Sequence, residues 1–205
     1  MKTLLRIDVS PRGSESHSRR FADVLVPHLL RSRSDWQTVR RDLGDGQPSA
    51  IDEPYVRAML THFTREQSAG VPDLAHSERL VAELESADAV VIATPVHNYT
   101  VPASLKAWID QVVRVGRTFR STPQGKLGSL EDRPTFIVAS SGGYFSGASA
   151  PQPDFFTPYL KAILTTIGIQ DVRFIRLEGL SRGTEAVEGA YRRAHEALPT
   201  LHLPE

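Results

Sequence analysis

The feature that most constrains this fold is an apolar run at residues 89–94, Ala-Val-Val-Ile-Ala-Thr, which ends at Pro95. The run has the length of a β-strand, and its apolar side chains fall on both faces of that strand. Such strands occupy the middle of parallel sheets that are covered by helices on both sides. The residues that follow form a loop at the carboxyl end of the strand, where doubly wound folds bind ligands. We therefore expect a parallel α/β fold with a binding site at this loop.

Four further segments have the composition of strands, and amphipathic segments alternate with them. The five predicted strands are residues 3–9, 36–42, 89–94, 135–140 and 171–177. Apolar side chains at spacings of three and four predict helices at residues 17–32, 77–84, 105–115, 156–167 and 185–198. This alternation predicts a single domain over residues 1–205. We expect a flavodoxin-like three-layer α/β sandwich whose five-stranded parallel sheet has the order 2-1-3-4-5, with helices on both faces.

One segment, residues 44–70, is longer than a crossover between two strands needs. It contains turn signals and a weakly amphipathic helix predicted at residues 53–63. A lid or a subunit contact would account for this segment, and so would a plain surface insertion.

Composition narrows the classes of function. The 24 basic and 24 acidic side chains balance, so no overall field attracts nucleic acid or an anionic membrane. The absence of cysteine excludes disulfides, thiolate nucleophiles and cysteine-based metal sites. No apolar run has the length of a membrane span. We expect a cytoplasmic protein that binds a small molecule and no nucleic acid, membrane or metal.

The loop after the first strand, residues 10–18, is rich in serine and leads directly into a helix. Ser16 or Ser18 is a suitable N-cap. A helix N-terminus with hydroxyl groups and free amides can bind a phosphate dianion without lysine, although a capped helix with nothing bound would use the same residues. The chain lacks a Walker A motif, and no G-x-G-x-x-G follows the first strand. Any phosphate here would be bound by serines and backbone amides.

Two more loops should meet at the same edge of the sheet. The loop at residues 95–99 carries an imidazole, an amide and an aromatic ring; it could also be an ordinary connection in which Asn98 tolerates a left-handed conformation. Residues 140–144 contain two glycines, which permit positive φ and let backbone amides approach a ligand. No G-x-S-x-G motif supports a hydrolytic serine. A phosphate site beside a flat, polar-edged site predicts FMN as the ligand.

With these loops the chain resembles, over nearly its whole length, the family of FMN-dependent NADH:azoreductases and quinone reductases. The matching motifs are S-x(5)-S-x-S at Ser10, Ser16 and Ser18, P-x-x-N-aromatic at residues 95–99, and the turn at residues 140–143. Further matches follow in order at residues 101–110, 116–120, 157–160 and 168–169. The resemblance also implies a homodimer whose active sites lie at the subunit interface.

The resemblance implies a role for each loop. Ser10, Ser16 and Ser18, with the backbone of His17, would bind the FMN phosphate. The loop that would line the edge of the isoalloxazine ring consists of Pro95, Val96, His97, Asn98 and Tyr99. The turn that would contact the pyrimidine end consists of Ser140, Ser141, Gly142 and Gly143. Phe119 and Tyr144 would form a wall of the substrate site, although Phe119 could equally be a core aromatic.

On this interpretation the protein is an FMN-dependent oxidoreductase that uses NADH or NADPH as co-substrate. It would pass two electrons by a ping-pong mechanism to quinones and, by reductive cleavage, to aromatic azo compounds. Hydride would travel through flavin N5 without an essential acid or base, and His97 is the candidate proton donor. Members of the family often carry Arg at the position of Ser141, and other residues at Val96, His97 and Tyr99, so we expect substrate preference to differ.

Two alternatives remain on the same fold. A flavodoxin-type FMN electron carrier usually presents an acidic face to its partners, whereas this chain is charge-balanced. A flavin-free interaction module would be colourless and would take up no FMN.

Overall fold

A computed structural model of the chain describes residues 1–46, 50–61, 64–147 and 150–204. The strands found in these ranges are β1 (Lys2–Asp8), β2 (Trp36–Asp42), β3 (Ala89–Pro95), β4 (Phe119–Thr122), β5 (Gly125–Gly128), β6 (Thr135–Ser140) and β7 (Val172–Leu177). The α-helices found there are α1 (His17–Leu29), α2 (Glu53–Met59), α3 (Arg65–Ser68), α4 (Ala75–Glu85), α5 (Ala103–Val112), α6 (Phe156–Ile167) and α7 (Thr184–Ala197). No helix in the described ranges is long and apolar enough to cross a membrane.

Five strands form one parallel sheet in the order β2-β1-β3-β6-β7. These are the five strands predicted from sequence, so the order 2-1-3-4-5 and the flavodoxin-like fold are confirmed. The chain reverses direction across the sheet between β1 and β3, which opens a crevice at the carboxyl ends of these two strands.

The apolar run in β3 is buried on both faces. Val90 and Ile92 pack into one core with apolar side chains of α4, α5 and α6. Val91 and Ala93 face the opposite way and pack with α1 and α7. Successive side chains of β3 therefore point into two different cores. The result is a central sheet with helices on both faces, the three layers that the sequence predicts.

The sequence did not predict the antiparallel hairpin of β4 and β5. Its strands have four residues each and are mostly exposed, so they leave no apolar alternation to detect. At the base of the hairpin, Gly128 lies so close to the backbone of Gly168 that a Cβ would overlap it. The hairpin is thereby packed against the carboxyl end of α6.

Helix boundaries differ from the predicted ones where a side chain or turn ends the helix. The helix predicted to reach Val115 ends at Val112, because the Thr118 hydroxyl donates to the Val112 carbonyl at 2.6 Å and accepts the Arg114 N–H at 3.0 Å. The helix predicted to reach Ser32 ends at Leu29. Ser32 itself has a φ of 62°, which no α-helix contains.

The long segment at residues 44–70 contains α2 and α3. The helix predicted at residues 53–63 ends at Met59, and its predicted end, Phe63, lies outside the described residues. Tyr55 of α2 is buried, and its hydroxyl donates to the carbonyl of Asp110 in α5 at 3.1 Å. The segment is therefore held against α5; its role as a lid or subunit contact stays a prediction.

Candidate functional site

A cleft of about 430 Å³ opens at the carboxyl edge of the sheet, between the segments that follow β1, β3, β6 and β7. Its lining consists of Ser10, Pro11, Arg12, Ser16, His17, Pro95, Val96, His97, Ser140, Ser141, Gly142, Leu180 and Ser181. A second cleft of about 260 Å³ adjoins it and shares two of these residues. That cleft is lined by Val96, Asn98, Tyr99, Ser141, Gly143, Phe145 and Gln152. The larger cleft falls within the usual range of small-molecule sites, roughly 300–1,000 Å³.

The loop after β1, residues 10–18, is called the serine loop and forms one end of the larger cleft. Ser16 is the N-cap of α1, as predicted, and its side chain accepts the Arg19 N–H at 3.4 Å. Ser16 and Ser18 are buried, with 3.1 Å between their hydroxyl oxygens. The Ser10 hydroxyl accepts the N–H of Arg12 at 3.3 Å. Hydroxyl groups and a helix N-terminus are thus assembled at one end of the cleft.

His17 extends this polar end toward α7. Its Nδ1 lies 3.1 Å from the hydroxyl of Tyr191. Burial lowers the pKa of the His17 imidazole, and the nearby cations Arg20 and Arg12 lower it further. The two arginines bring positive charge to this end of the cleft, which favours an anionic ligand.

The second loop is a tight turn. The N–H of His97 donates to the carbonyl of Thr100 at 2.9 Å, and the return bond measures 3.0 Å. The two residues between them, Asn98 and Tyr99, have φ values of 47° and 71°, the signature of a type I′ turn. The left-handed Asn98 agrees with the sequence prediction, whereas a left-handed Tyr99 was not expected. The turn leaves the Tyr99 side chain at the second cleft, 49% exposed.

The third loop is joined to both of its neighbours. Its first residue, Ser140, accepts the Val96 N–H at 2.8 Å and so connects it to the second loop. Further along, the Gly142 carbonyl accepts the hydroxyl of Ser181 at 2.8 Å. The three segments therefore hold one another in place through hydrogen bonds.

The two glycines of this loop were predicted to permit positive φ, and neither is among the residues with positive φ. Their role is close packing instead. A Cβ at Gly142 would lie 2.8 Å from the Ser181 hydroxyl, and one at Gly143 would lie 2.5 Å from Oε1 of Gln152. Glycine at these positions leaves room for the side chains of Ser181 and Gln152, which would have to move to accept a Cβ.

All but one of the residues predicted to bind the cofactor line a cleft. The larger cleft contains Ser10, Ser16, His17, Pro95, Val96, His97, Ser140, Ser141 and Gly142, and the second adds Asn98, Tyr99 and Gly143. Ser18 is buried and lines neither cleft, and its hydroxyl lies 3.1 Å from that of Ser16.

Neither residue predicted for the substrate wall lines either of these two clefts. Phe119 is 7% exposed and lies beneath the ammonium group of Lys126, 4.9 Å from the ring centroid. Tyr144 is half-buried, and the guanidinium of Arg182 lies 6.0 Å from its ring. Their substrate role stays a prediction.

The sequence predictions missed several lining residues. Arg12 stands inside the serine loop, and its position was a usable signal. Leu180 and Ser181 follow β7, the edge strand, whereas the prediction used only the loops after the first, third and fourth predicted strands. Phe145 and Gln152 reach the second cleft from farther along the third loop, where the spacing gave no signal.

The lining fits a flat phosphate ester such as FMN. No Asp or Glu lines either cleft within the part of the chain that the structure describes, so no carboxylate repels a dianion. Hydroxyls, the start of α1 and the Arg12 cation lie at one end, and Pro95, Val96 and Leu180 provide apolar surface for a ring. The described residues contain no group of three or more His, Asp or Glu side chains suited to a metal ion.

The flavodoxin-like fold family matches residues 1–200 of the chain. The "FMN-dependent NADH:quinone oxidoreductase 4" of Pseudomonas fluorescens is 44% identical over 198 residues, which is 97% of this chain and 94% of the relative. The "FMN-dependent NADH:quinone oxidoreductase 5" of Burkholderia lata is 45% identical over 188 residues, 92% of this chain and 90% of the relative.

The solved structures agree on the fold. An FMN-dependent NADH-azoreductase from Bacillus anthracis in complex with FMN superposes with a TM-score of 0.81 at 24% identity, over 98% of this chain and 99% of the other. An azoreductase from the same species gives a TM-score of 0.81 at 19% identity, over 98% of this chain and 100% of the other.

Proposed function

This chain belongs to the flavodoxin-like fold family that includes the FMN-dependent NADH:quinone oxidoreductases, and we propose from this that it binds FMN and transfers two electrons from NADH or NADPH to quinones and aromatic azo compounds. The observation that carries the proposal is the cleft itself, in which a hydroxyl-rich, cationic end adjoins an apolar wall. FMN, when bound, supplies two-electron redox chemistry through hydride exchange at its N5 atom.

The phosphate of FMN would be bound at the start of α1. Ser10 and Ser16 offer hydroxyls that line the cleft, and Ser18 supports Ser16 from behind. The backbone of His17 contributes the positive end of the helix. Arg12, exposed at the mouth of the cleft, adds the charge that the serines lack. We expect this end to account for most of the discrimination between FMN and riboflavin.

The flat ring of the cofactor would lie between the second and third loops. Pro95 and Val96 provide an apolar edge, and Asn98 and Tyr99 border the adjoining cleft. The turn from Ser140 to Gly143 would border the other edge, and the donor we propose there is the N–H of Gly142, since the Ser141 N–H donates to the Leu177 carbonyl at 2.8 Å. Amide donors in fixed positions stabilise negative charge that develops on a bound ring.

The adjoining cleft is the proposed substrate site. Its volume of about 260 Å³ suits one planar molecule at a time. Nicotinamide donor and quinone or azo acceptor would therefore occupy it in turn, which is the condition for a ping-pong mechanism. His97 is exposed and lines the larger cleft, between Val96 and Asn98 of the adjoining one, and we propose that its imidazole donates a proton to the reduced acceptor.

We also propose that the protein acts as a cytoplasmic homodimer. An open apolar groove of about 360 Å³ lies between α2, α5 and α6 and includes Ile51, Met59, Val113 and Ile163. Ile51 is 41% exposed in the single chain, and pairing with a second copy would remove such surface from water. Light scattering should give twice the mass of the chain, and cell fractionation tests the location.

A spectroscopic experiment tests the proposed function. The purified protein, loaded with FMN, is mixed anaerobically with NADH or NADPH and then with a quinone. Visible absorbance should bleach on the first addition and return on the second. Absence of bleaching with both nicotinamides would overturn the proposal. In that case a flavin that is stably reduced by one electron on photoreduction would indicate an electron carrier, and failure to take up FMN would indicate a flavin-free module.

A further inference from the structure

Arg19 contacts both ends of the serine loop from beneath it. Its backbone N–H donates to the Ser16 hydroxyl at 3.4 Å. Its guanidinium Nη2 donates to the carbonyl of Ser10, nine residues earlier in the chain. Arg19 is only 6% exposed and does not line the cleft. Arg19 therefore contacts both ends of the loop that bears the proposed phosphate-binding hydroxyls, Ser16 through its backbone N–H and Ser10 through its buried side chain.

Asp42 fixes the position of this guanidinium. Arg19 Nη1 lies 2.5 Å from Oδ2 of Asp42, and Nη2 lies 2.5 Å from Oδ1, so the pair is bidentate. Asp42 ends β2, which is the neighbour of β1 in the sheet. The pair thus ties the loop after β1 to a strand that contributes nothing to either cleft.

The space around the pair is filled. The Gly44 N–H donates to Oδ1 of Asp42 at 2.8 Å. A Cβ at Gly44 would overlap Arg19 Nη2 and would lie 2.5 Å from the carbonyl oxygen of Ser10. The arginine consequently has little room to adopt a second arrangement, and the carbonyl of Ser10 is held at a fixed place.

The charges of Arg19 and Asp42 also indicate that the pair acts by holding the loop in position. The hydrogen bonds from Arg19 lower the pKa of the Asp42 carboxyl, so the pair is fully ionised at neutral pH. A neutralised pair offers a dianion less attraction than a free arginine would. Its contribution is geometric, because the planar guanidinium makes parallel bonds that an ammonium group cannot copy.

We propose that the Arg19–Asp42 pair is a positioning element that sets the spacing of the Ser10 and Ser16 hydroxyls for a phosphate monoester dianion. The inference rests on the proposed function, in which this loop binds the phosphate of FMN. If the pair sets this spacing, Arg19 and Asp42 both contribute to the preference for FMN over riboflavin, although neither residue lines a cleft.

Flavin fluorescence titrations test this with FMN and riboflavin side by side. Arg19→Lys and Asp42→Asn should each weaken FMN binding about tenfold or more, the loss expected from one charge-assisted hydrogen bond. Riboflavin affinity should stay within about twofold of wild type, because riboflavin carries no phosphate. Arg41→Lys is the matched control, since Arg41 makes a similar bidentate pair with Glu83 away from the loop.

The outcomes separate three explanations. If Asp42→Asn tightens FMN binding, the arginine acts by its charge and the positioning role is wrong. If riboflavin affinity falls as much as FMN affinity, the pair only maintains the fold, and the inference is overturned. If wild type itself does not distinguish FMN from riboflavin, the proposed phosphate site is wrong and the inference falls with it.

A second variant keeps the test decisive if Asp42→Asn unfolds. Gly44→Ala retains both charges and presses a methyl group on the same guanidinium and on the Ser10 carbonyl that it binds. It should also lower FMN affinity and leave riboflavin affinity unchanged. Full FMN affinity in both Gly44→Ala and Arg19→Lys, with wild type preferring FMN, would overturn the positioning role alone.

Discussion

The carboxylate of Glu178 accepts the backbone N–H of Phe145 at 2.8 Å and so joins the residue after β7 to the loop after β6. The same carboxylate accepts the Ser146 N–H at 2.9 Å and the Ser146 hydroxyl. Glu178 is buried, and one side chain therefore satisfies three donors of the loop that borders the second cleft.

Glu178→Gln should loosen this loop. The amide of Gln can still accept both backbone N–H groups at one atom and donate to the Ser146 hydroxyl at the other, so the loss is that of a charged acceptor, about 1–3 kcal/mol over three hydrogen bonds. Thermal unfolding should occur at lower temperature, and KM for a quinone should rise more than kcat falls, since Phe145 lines the substrate cleft. Glu188→Gln, at an exposed position of α7, is the control. Equal effects of the two substitutions would contradict this account.

Tyr99→Gly should raise stability and impair substrate binding. A left-handed tyrosine costs roughly 1–2 kcal/mol, and Asn-Gly is the preferred pair for a type I′ turn. Denaturant unfolding should show the gain, while loss of the ring at the second cleft should raise KM for the acceptor. Tyr99→Phe keeps the ring and the strain, so it should match wild type in both measurements. A stability unchanged by glycine would show that the turn is not strained.

Ser16→Ala combined with Ser18→Ala should weaken FMN retention without loss of the fold. Loss of the N-cap costs about 1 kcal/mol of stability, which a folded domain tolerates. FMN affinity should fall and riboflavin affinity should not. Ser14→Ala, an exposed serine of the same loop, controls for the general effect of removing a hydroxyl. Unchanged FMN affinity in the double variant would refute the assignment of these serines to the phosphate.

The stability of the empty protein should fall as pH drops below about 6.5, the ordinary histidine value. Burial and the neighbouring Arg20 and Arg12 lower the pKa of His17, so the unfolded chain binds its proton at higher pH than the folded chain does. The stabilising effect is complete above the unfolded pKa and is lost as pH falls through the folded one.

Urea unfolding at pH 7.5 and pH 5.5 measures this slope, and His17→Gln should flatten it. His76 also has a pKa lowered by burial, so part of the slope should remain. His202→Gln, at an exposed position, is the control. A slope identical in wild type and His17→Gln would rule out the contribution of His17.

Substitution of two glycines can distinguish the cost of backbone strain from the cost of a steric overlap at Cβ. Gly168 and Gly183 have φ values of 111° and 95°, but only Gly168 has a neighbour, the Leu130 carbonyl, in the place of a Cβ. Gly183→Ala should cost about 1–3 kcal/mol from strain alone. Gly168→Ala should cost about 1–3 kcal/mol more from overlap. Unfolding in urea measures both, and equal losses would show that the loop at Leu130 yields.

The sheet could be predicted because the pattern of apolar residues in a strand shows which of its faces are buried. The run at residues 89–94 is apolar on both faces, and this places β3 at the centre of the sheet without any partner being known. The loops of the site were accessible for the same reason, since each directly follows such a strand. The order of the strands then brings Ser16, Val96 and Ser141 to one cleft.

What could not be predicted depends on contacts between distant residues. The end of α5 is set by the hydroxyl of Thr118, which no helical pattern reveals. The fit between Gly143 and Gln152 is likewise a product of packing. The helical pattern around Arg19 gives no sign of its partner, because Asp42 lies 23 residues away and comes within its reach only when β2 pairs with β1. Long-range partners of this kind are chosen by the assembled fold.

The lining of the larger cleft extends across four strands of the sheet. It begins at Ser10, which follows β1, and ends at Ser181, which follows the edge strand β7. A ligand held there bridges segments that can otherwise separate when the edge of the sheet opens. Each tenfold excess of ligand over its dissociation constant adds about 1.4 kcal/mol to the cost of that opening. The resistance of the folded chain to added protease should therefore rise with flavin concentration.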